Sequence, residues 1–260
     1  MNPPTHEPSP PHTDALTVVI TGAGSGIGRA TAHVFLEAGW TVVLTGRRRE
    51  ALLETAAHAA NAHVVPLDVT DPVGVASGFQ AIQDLTGRID VLFNNAGTFG
   101  PTGEVDEIDP EEWEHALRVN LTGAFLCSAQ AFRIMRRQQP RGGRIINNGS
   151  ISAHVPRPQS AAYTASKHAL TGLTKSLALD GRAHGITCGQ IDIGNAATDL
   201  LAGVAPDSGA LQADGSRRPE PSFPAEEAGR AVLLMAQLPP SAMVNSLVLT
   251  ASGMPFTGRG

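Results

Sequence analysis

The chain has 260 residues, of which 42% are hydrophobic and 17% charged, and its net charge is −5. That composition suits a globular protein with a substantial core, and the negative balance gives no footprint for a nucleic-acid partner. Apolar runs are too short to span a bilayer, the nine histidines show no metal-type spacing, and Cys127 and Cys188 form neither a cluster nor a disulfide framework. No metal site and no membrane partner are expected, and a reducing, cytoplasmic compartment is.

Residues 1–14 hold five prolines and almost nothing apolar. They lack the charged start and apolar stretch of a signal peptide and are expected to be a disordered tail. From Ala15 to Gly260 the chain reads as a single domain. Strands are expected at Leu16–Thr21, Thr41–Thr45, His63–Leu67, Ile89–Phe93, Arg144–Asn148, Ile186–Asp192 and Asn245–Thr250. Helices are expected at Ile27–Ala38, Arg48–Ala60, Pro72–Leu85, Pro110–Arg137, Ala161–Ala183 and Ala225–Gln237. Asp109, Pro110 and Glu112 form a capping-box signature at the fourth helix. The alternation implies an α/β fold: a Rossmann-type, doubly wound parallel sheet of about seven strands with helices on both faces. Gly203–Pro224, rich in Gly, Pro, Ser and Asp, is too long for an ordinary connection and is expected to be a mobile functional loop.

The first strand runs into Thr21-Gly22-Ala23-Gly24-Ser25-Gly26-Ile27-Gly28. Glycines after a strand let the backbone turn sharply and approach a ligand, and the next helix offers its free N–H groups to a phosphate. In a βαβ setting this is a dinucleotide cradle, with Thr21, Gly22, Ser25, Gly26, Ile27 and Gly28 as its residues. A Walker loop is excluded because Arg29 follows the last glycine. The alternative is a tight turn that binds nothing.

Tyr163, the only tyrosine, precedes Lys167 by four residues, which on a helix places both on one face. An ammonium beside a phenol lowers its pKa, so the pair makes a general acid/base. The same spacing also occurs between surface residues with no role.

Taken in order, TGxxxGxG, Asn94-Asn95-Ala96-Gly97, Asn120 in the long helix, Ser150 at the end of the fifth strand, then Tyr163 and Lys167 resemble the short-chain dehydrogenase/reductase family along nearly the whole of Ala15–Gly260. The resemblance implies an oxidoreductase that interconverts a carbonyl and an alcohol. Tyr163 moves the proton, Lys167 lowers its pKa and binds the nicotinamide ribose, Ser150 positions the substrate oxygen, and Asn120 holds a water leading to Lys167. Asn94, Ala96 and Gly97 form the floor under the cofactor, and Asp68 and Val69 meet the adenine. Ile193, where the family usually has proline, and Thr198 contact the nicotinamide end.

The second strand ends in Gly46-Arg47-Arg48-Arg49, where NAD-specific sites usually carry an acid. Arg47 can pair with a 2′-phosphate, so NADP is preferred as cofactor and NAD is the alternative. A basic, solvated helix start explains the same arginines. The substrate, a small carbonyl or alcohol molecule, is expected to meet Ser150, Ser152, His154, Tyr163 and Asn195, with Pro156 and Gln159 in the wall and Leu200, Leu201, Val204 and Phe223 in a lid. Arg133, Arg136, Arg137 and Arg141 raise a 3-oxoacyl reductase reading, in which they dock an acidic carrier protein; a solvated helix C-terminus is the alternative. The rival class is a non-catalytic nucleotide-binding regulator on the same fold. A homodimer or homotetramer paired through the helices at Pro110–Arg137 and Ala161–Ala183 is implied, and the tail after Thr250 is a candidate for the subunit interface.

Overall fold

Seven strands, all parallel, form the central sheet in the computed structural model, which describes residues 15–198, 200–201 and 209–256. In chain order the strands are β1 (Thr17–Thr21), β2 (Thr41–Gly46), β3 (Ala62–Pro66), β4 (Val91–Asn94), β5 (Gly143–Asn148) and β6 (Ile186–Gly194). The two-residue strands β7 (Ala196–Ala197), β8 (Ala210–Leu211), β9 (Arg217–Arg218) and β10 (Phe223–Pro224) precede β11 (Ser246–Thr250). The helices are α1 (Gly26–Glu37), α2 (Arg49–Ala56), α3 (Pro72–Thr86), α4 (Pro110–Leu117), α5 (Gly123–Arg137), α6 (Ala161–Gly181) and α7 (Ala225–Gln237).

Across the sheet the order is β11-β6-β5-β4-β1-β2-β3. The direction of winding reverses between β1 and β4, which opens a crevice at the carboxyl ends of these strands. Side chains alternate between the two faces. Val18, Ile20, Val42 and Leu44 pack with Phe35 of α1, Leu52 of α2 and Val232 of α7. Val19, Val43, Leu92 and Ile145 pack with Phe79 of α3, with Cys127 and Ile134 of α5, and with Leu177 of α6. Burial on both faces explains why the strands read as nearly unbroken apolar runs.

Three expected elements differ. The long helix at Pro110–Arg137 is interrupted by a π-helical turn, Arg118–Thr122, that carries Asn120. The helix expected to reach Ala60 stops at Ala56, because Ala57 and His58 adopt left-handed φ of 45° and 63°. Within Gly203–Pro224, β8 and β9 pair antiparallel and β10 joins β7 in parallel; the earlier part of that segment lies outside the described residues. At the start of α4 the Asp109 carboxylate accepts from the N–H groups of Glu111 and Glu112, at 2.7 and 3.4 Å, but the return bond from the Glu112 side chain does not form. The proline-rich tail is likewise outside the described residues. Beyond β11, Ala251 and Met254 pack on Ile151 of the same chain.

Candidate active site

A cleft of about 570 Å³ lies over the carboxyl ends of the strands and is walled by the glycine loop, the β4 and β5 ends and the turn after β6. Gly22, Ser25, Gly26 and Ile27 line it. Gly22 and Gly26 have φ of +65° and +51°, which only glycine adopts readily. Gly28 acts differently, since a Cβ there would lie 2.2 Å from the Gly22 carbonyl oxygen. It lets α1 pack onto the loop and does not face the cleft. Ser25 precedes α1 without a side-chain cap bond, and the first turn carries no acid, so the helix start stays open to an anion. Arg29 braces the loop by donating to the Gly24 carbonyl at 2.7 Å.

Thr21 is also a brace. Its hydroxyl accepts from the N–H groups of Asn95 and Ala96 at 2.9 and 3.0 Å, which fixes the β4 end against the glycine loop. Asn94 does not line the cleft. Its side chain turns to the α5 face, as Leu92 does, and donates to Ser128 Oγ and Asn147 Oδ1 at 2.8 and 2.9 Å. Asn95, one residue on, takes the expected place in the wall together with Ala96 and Gly97. It donates to the Thr21 carbonyl and accepts from Asn148 Nδ2, both at 2.9 Å.

At the other end, Arg47 and Arg48 are exposed beside Gly46 and line the cleft with Asp68 and Val69. Burial pushes the Asp68 carboxyl up, but bonds from the Thr70 N–H and hydroxyl, with Arg47 and His115 nearby, hold it below the usual carboxylate range. Asp68 is therefore an anion that the Arg47 charge partly answers.

The four expected catalytic side chains converge. Ser150 follows β5 in extended backbone and lines the cleft with Tyr163, near enough for its hydroxyl to lower the phenol pKa. Lys167 is one turn along α6 from Tyr163, its Nζ 5.4 Å from the centroid of the phenol ring. The expected effect of Lys167 on the phenol is not found. Burial raises the Tyr163 pKa above its ordinary value; the Ser150 hydroxyl and Arg157 oppose the rise, and Asp192 adds to it. The Lys167 ammonium donates to the Asn148 carbonyl at 2.7 Å and not to the phenol oxygen. Burial holds Lys167 itself down to about 8, against the pull of Asp192.

Asn120 is buried and held by neighbouring segments. Its Oδ1 accepts from the Thr98 N–H at 2.8 Å, and its Nδ2 donates to the Thr98 carbonyl and to Ser166 Oγ at 2.8 and 3.1 Å. Asn120 thus uses both amide donors and keeps one acceptor lone pair of Oδ1 for a water. It ties the segment after β4 to α6, and the π-helical turn brings it there.

The end of the cleft near Ser150 carries several polar groups. Ser152 donates its N–H to Ser150 Oγ at 3.1 Å and lines the cleft with Asn195, Ile193, Thr198, Leu200 and Leu201. Asn195 is held at φ 57° and bonds Arg157 Nη2 at 2.9 Å. Arg157 also reaches Glu220 at 2.7 Å, an ion pair that is nearly out of solvent. Of the other expected residues, His154 turns from the cleft so that its Nε2 lies 2.7 Å from Asp192 Oδ2. Phe223 packs with Ile151 and Met254 instead of forming a lid, and Pro156 and Gln159 do not line the cleft. Val204 is outside the described residues.

Phe99, Asn148, Arg157 and Asp192 belong to the site and were not anticipated. Phe99 stacks on Tyr163. The one signal in the sequence was for Arg157, which lies between Ser150 and Tyr163. Among the described residues no cluster could hold a metal, and no helix is long and apolar enough to cross a membrane.

Residues 16–209 match the family model for short chain dehydrogenase. A 3beta-hydroxysteroid dehydrogenase of Mediterraneibacter gnavus is 38% identical over 184 residues, 68% of this chain and 65% of that protein, so the chain spans just under two thirds of that relative. An uncharacterized oxidoreductase of Escherichia coli is 37% identical over 221 residues, 83% of either chain. In fold, the chain is similar to 3-ketoacyl-(acyl-carrier-protein) reductase from Brucella melitensis, a structure complexed with NADH, with a TM-score of 0.80, 24% identity and coverage of 92% of this chain and 97% of that one.

Proposed function

The chain belongs to the short-chain dehydrogenase/reductase family, and from that membership we propose that it interconverts a ketone and a secondary alcohol with NADP(H). The observation that carries this reading is that Ser150, Tyr163 and a buried Lys167 line one cleft continuous with the glycine loop. A nicotinamide dinucleotide fits the donor set. The uncapped start of α1 suits a pyrophosphate, a Cβ at Gly22 would fill the approach, and the buried Asn148 Oδ1 in the cleft wall has no protein partner.

When bound, the dinucleotide supplies or accepts the hydride. In the reducing direction Tyr163 gives its proton to the carbonyl oxygen as charge develops there, and Ser150 holds that oxygen. The raised phenol pKa keeps Tyr163 protonated and ready as the acid. In the oxidising direction it must ionise first, so oxidation calls for a higher pH. Lys167 keeps a cation beside this exchange and binds the ribose. Asn120 and Phe99 fix the segment facing Tyr163. A non-catalytic role has no observation in its favour, since Ser150, Tyr163 and Lys167 all line the cleft.

The preference for NADP rests on Arg47 and Arg48, exposed beside a strand end that carries glycine and no carboxylate. The substrate end combines apolar Phe99, Ile151, Leu200 and Leu201 with polar Arg157 and Asn195, which fits an amphipathic ketone. We infer assembly into a homodimer or homotetramer in the cytoplasm. Phe125 of α5 and Leu179 of α6 are exposed apolar residues on the two helices that would pair.

Nicotinamide fluorescence titration tests the reading, followed by a ketone panel that includes 3-oxoacyl thioesters and cyclic ketones. Tighter binding of NADPH than NADH with turnover on the panel is expected. No binding of either dinucleotide overturns the reading.

A further inference from the structure

Asp192 has no part in the reaction as described, yet it is 1% exposed and meets the main chain of Ser150. A carboxylate buried this deeply needs its oxygens answered. Oδ1 accepts from the Ser150 main-chain N–H at 3.0 Å and from Gln190 Nε2 at 2.6 Å. Oδ2 faces His154 Nε2 at 2.7 Å. Gln190 is itself oriented by Thr171 and Thr174 of α6, at 3.0 and 3.1 Å. The fit is close: a Cβ at Gly149 would lie 1.9 Å from Asp192 Oδ1, so that position admits only glycine.

We propose that Asp192 is a positioning residue of this active site, clamped by Gln190 and His154 so that it fixes the Ser150 main chain and sets a negative charge near the Tyr163–Lys167 pair. The charge acts on both members of the pair. Asp192 favours the uncharged phenol of Tyr163 and the charged ammonium of Lys167. Those are the forms that protonate a carbonyl. The charged and titratable groups around it are His154 from the turn after β5, Arg157 from the following loop, and Tyr163 and Lys167 from α6. Its β11 partner is Val248, which carries no charge.

Tyr163 is the chain's only tyrosine, so phenolate absorbance reports this one group with no activity involved. Asp192→Asn removes the charge. It keeps an acceptor for Ser150, and His154 can switch tautomer to accept from the new amide. The phenol of the Asn variant should titrate lower than wild type. Where the protein turns over substrate, the rising limb of kcat against pH for alcohol oxidation should move to acid by a similar amount. Asp192→Ser, a smaller residue without charge, should move the phenol the same way and covers a folding failure of the Asn variant. Coincident phenol titrations for wild type and a folded variant overturn the proposal, even if turnover falls, because a purely structural role lowers rate without moving the midpoint. The activity limb rests on the proposed function and the absorbance titration does not, so the two can fail separately.

Discussion

The ring of Phe99 lies stacked on the ring of Tyr163, with centroids 4.8 Å apart and planes 24° apart. Tyr163 is thereby held between an aromatic face, the Ser150 hydroxyl and the Lys167 ammonium. Such a pair contributes roughly 0.5–1.5 kcal/mol beyond burial. Phe99→Ala should lower kcat by roughly 3–10-fold, as expected from an energy of that size, with dinucleotide affinity unchanged. Equal losses in kcat and in dinucleotide affinity would show that Phe99 acts on the whole cleft.

Gly28→Ala tests the glycine loop without touching a ligand. The new Cβ would meet the Gly22 carbonyl oxygen at 2.2 Å, and main chain cannot move aside as a side chain can. Overpacking of this kind costs about 1–3 kcal/mol. Both the melting temperature and the affinity for dinucleotide should fall, measured by thermal denaturation and fluorescence titration. A variant with unchanged melting would mean that α1 shifts freely against the loop.

Cofactor choice turns on the β2 end. Gly46→Asp combined with Arg47→Ala adds an acceptor for a 2′-hydroxyl and removes a partner for a 2′-phosphate. A Cβ at Gly46 would come no nearer than 3.5 Å to Leu52, so the aspartate has room. The ratio of NADPH to NADH affinity should drop by at least about tenfold, as loss of one charge-assisted contact implies. An unchanged ratio would remove Arg47 from the account.

Lys167 makes the active site costly to the fold. Burial lowers its pKa from 10.5 to about 8. Between those values the unfolded chain binds the proton and the folded chain does not, so this group makes stability rise with pH from about 8 to 10.5 and lose that contribution as pH falls through 8. Urea midpoints of wild type and Lys167→Met across this range should therefore diverge, with wild type gaining on the variant as pH rises. Parallel curves would mean that the folded ammonium titrates normally.

Much of this site was legible because its signals are local. The glycine loop, the β5-end serine and the Tyr163–Lys167 spacing each sit in one short segment, and the strand–helix alternation supplied the sheet that gathers them. What stayed hidden depends on partners far along the chain. Asp192 draws its role from Ser150 and His154, 42 and 38 residues away. The break at Asn120 depends on Thr98, so the pattern of Pro110–Arg137 alone reads as one helix. Asn94 and Asn95 are chemically alike, and only the face each presents at the strand end decides which one meets the cleft. His154 lies in the expected wall segment, but the buried carboxylate of Asp192 draws it away.

The most direct measurement of the central claim is NADPH consumption with the ketone panel, compared between wild type and Tyr163→Phe at saturating cofactor. The substitution keeps the ring against Phe99 and removes only the oxygen that carries the proton. Turnover should fall by about 10²–10⁴-fold while NADPH affinity stays within about twofold, the pattern of a lost general acid. Wild-type turnover in the variant, or a panel on which the wild type consumes no NADPH, would contradict it.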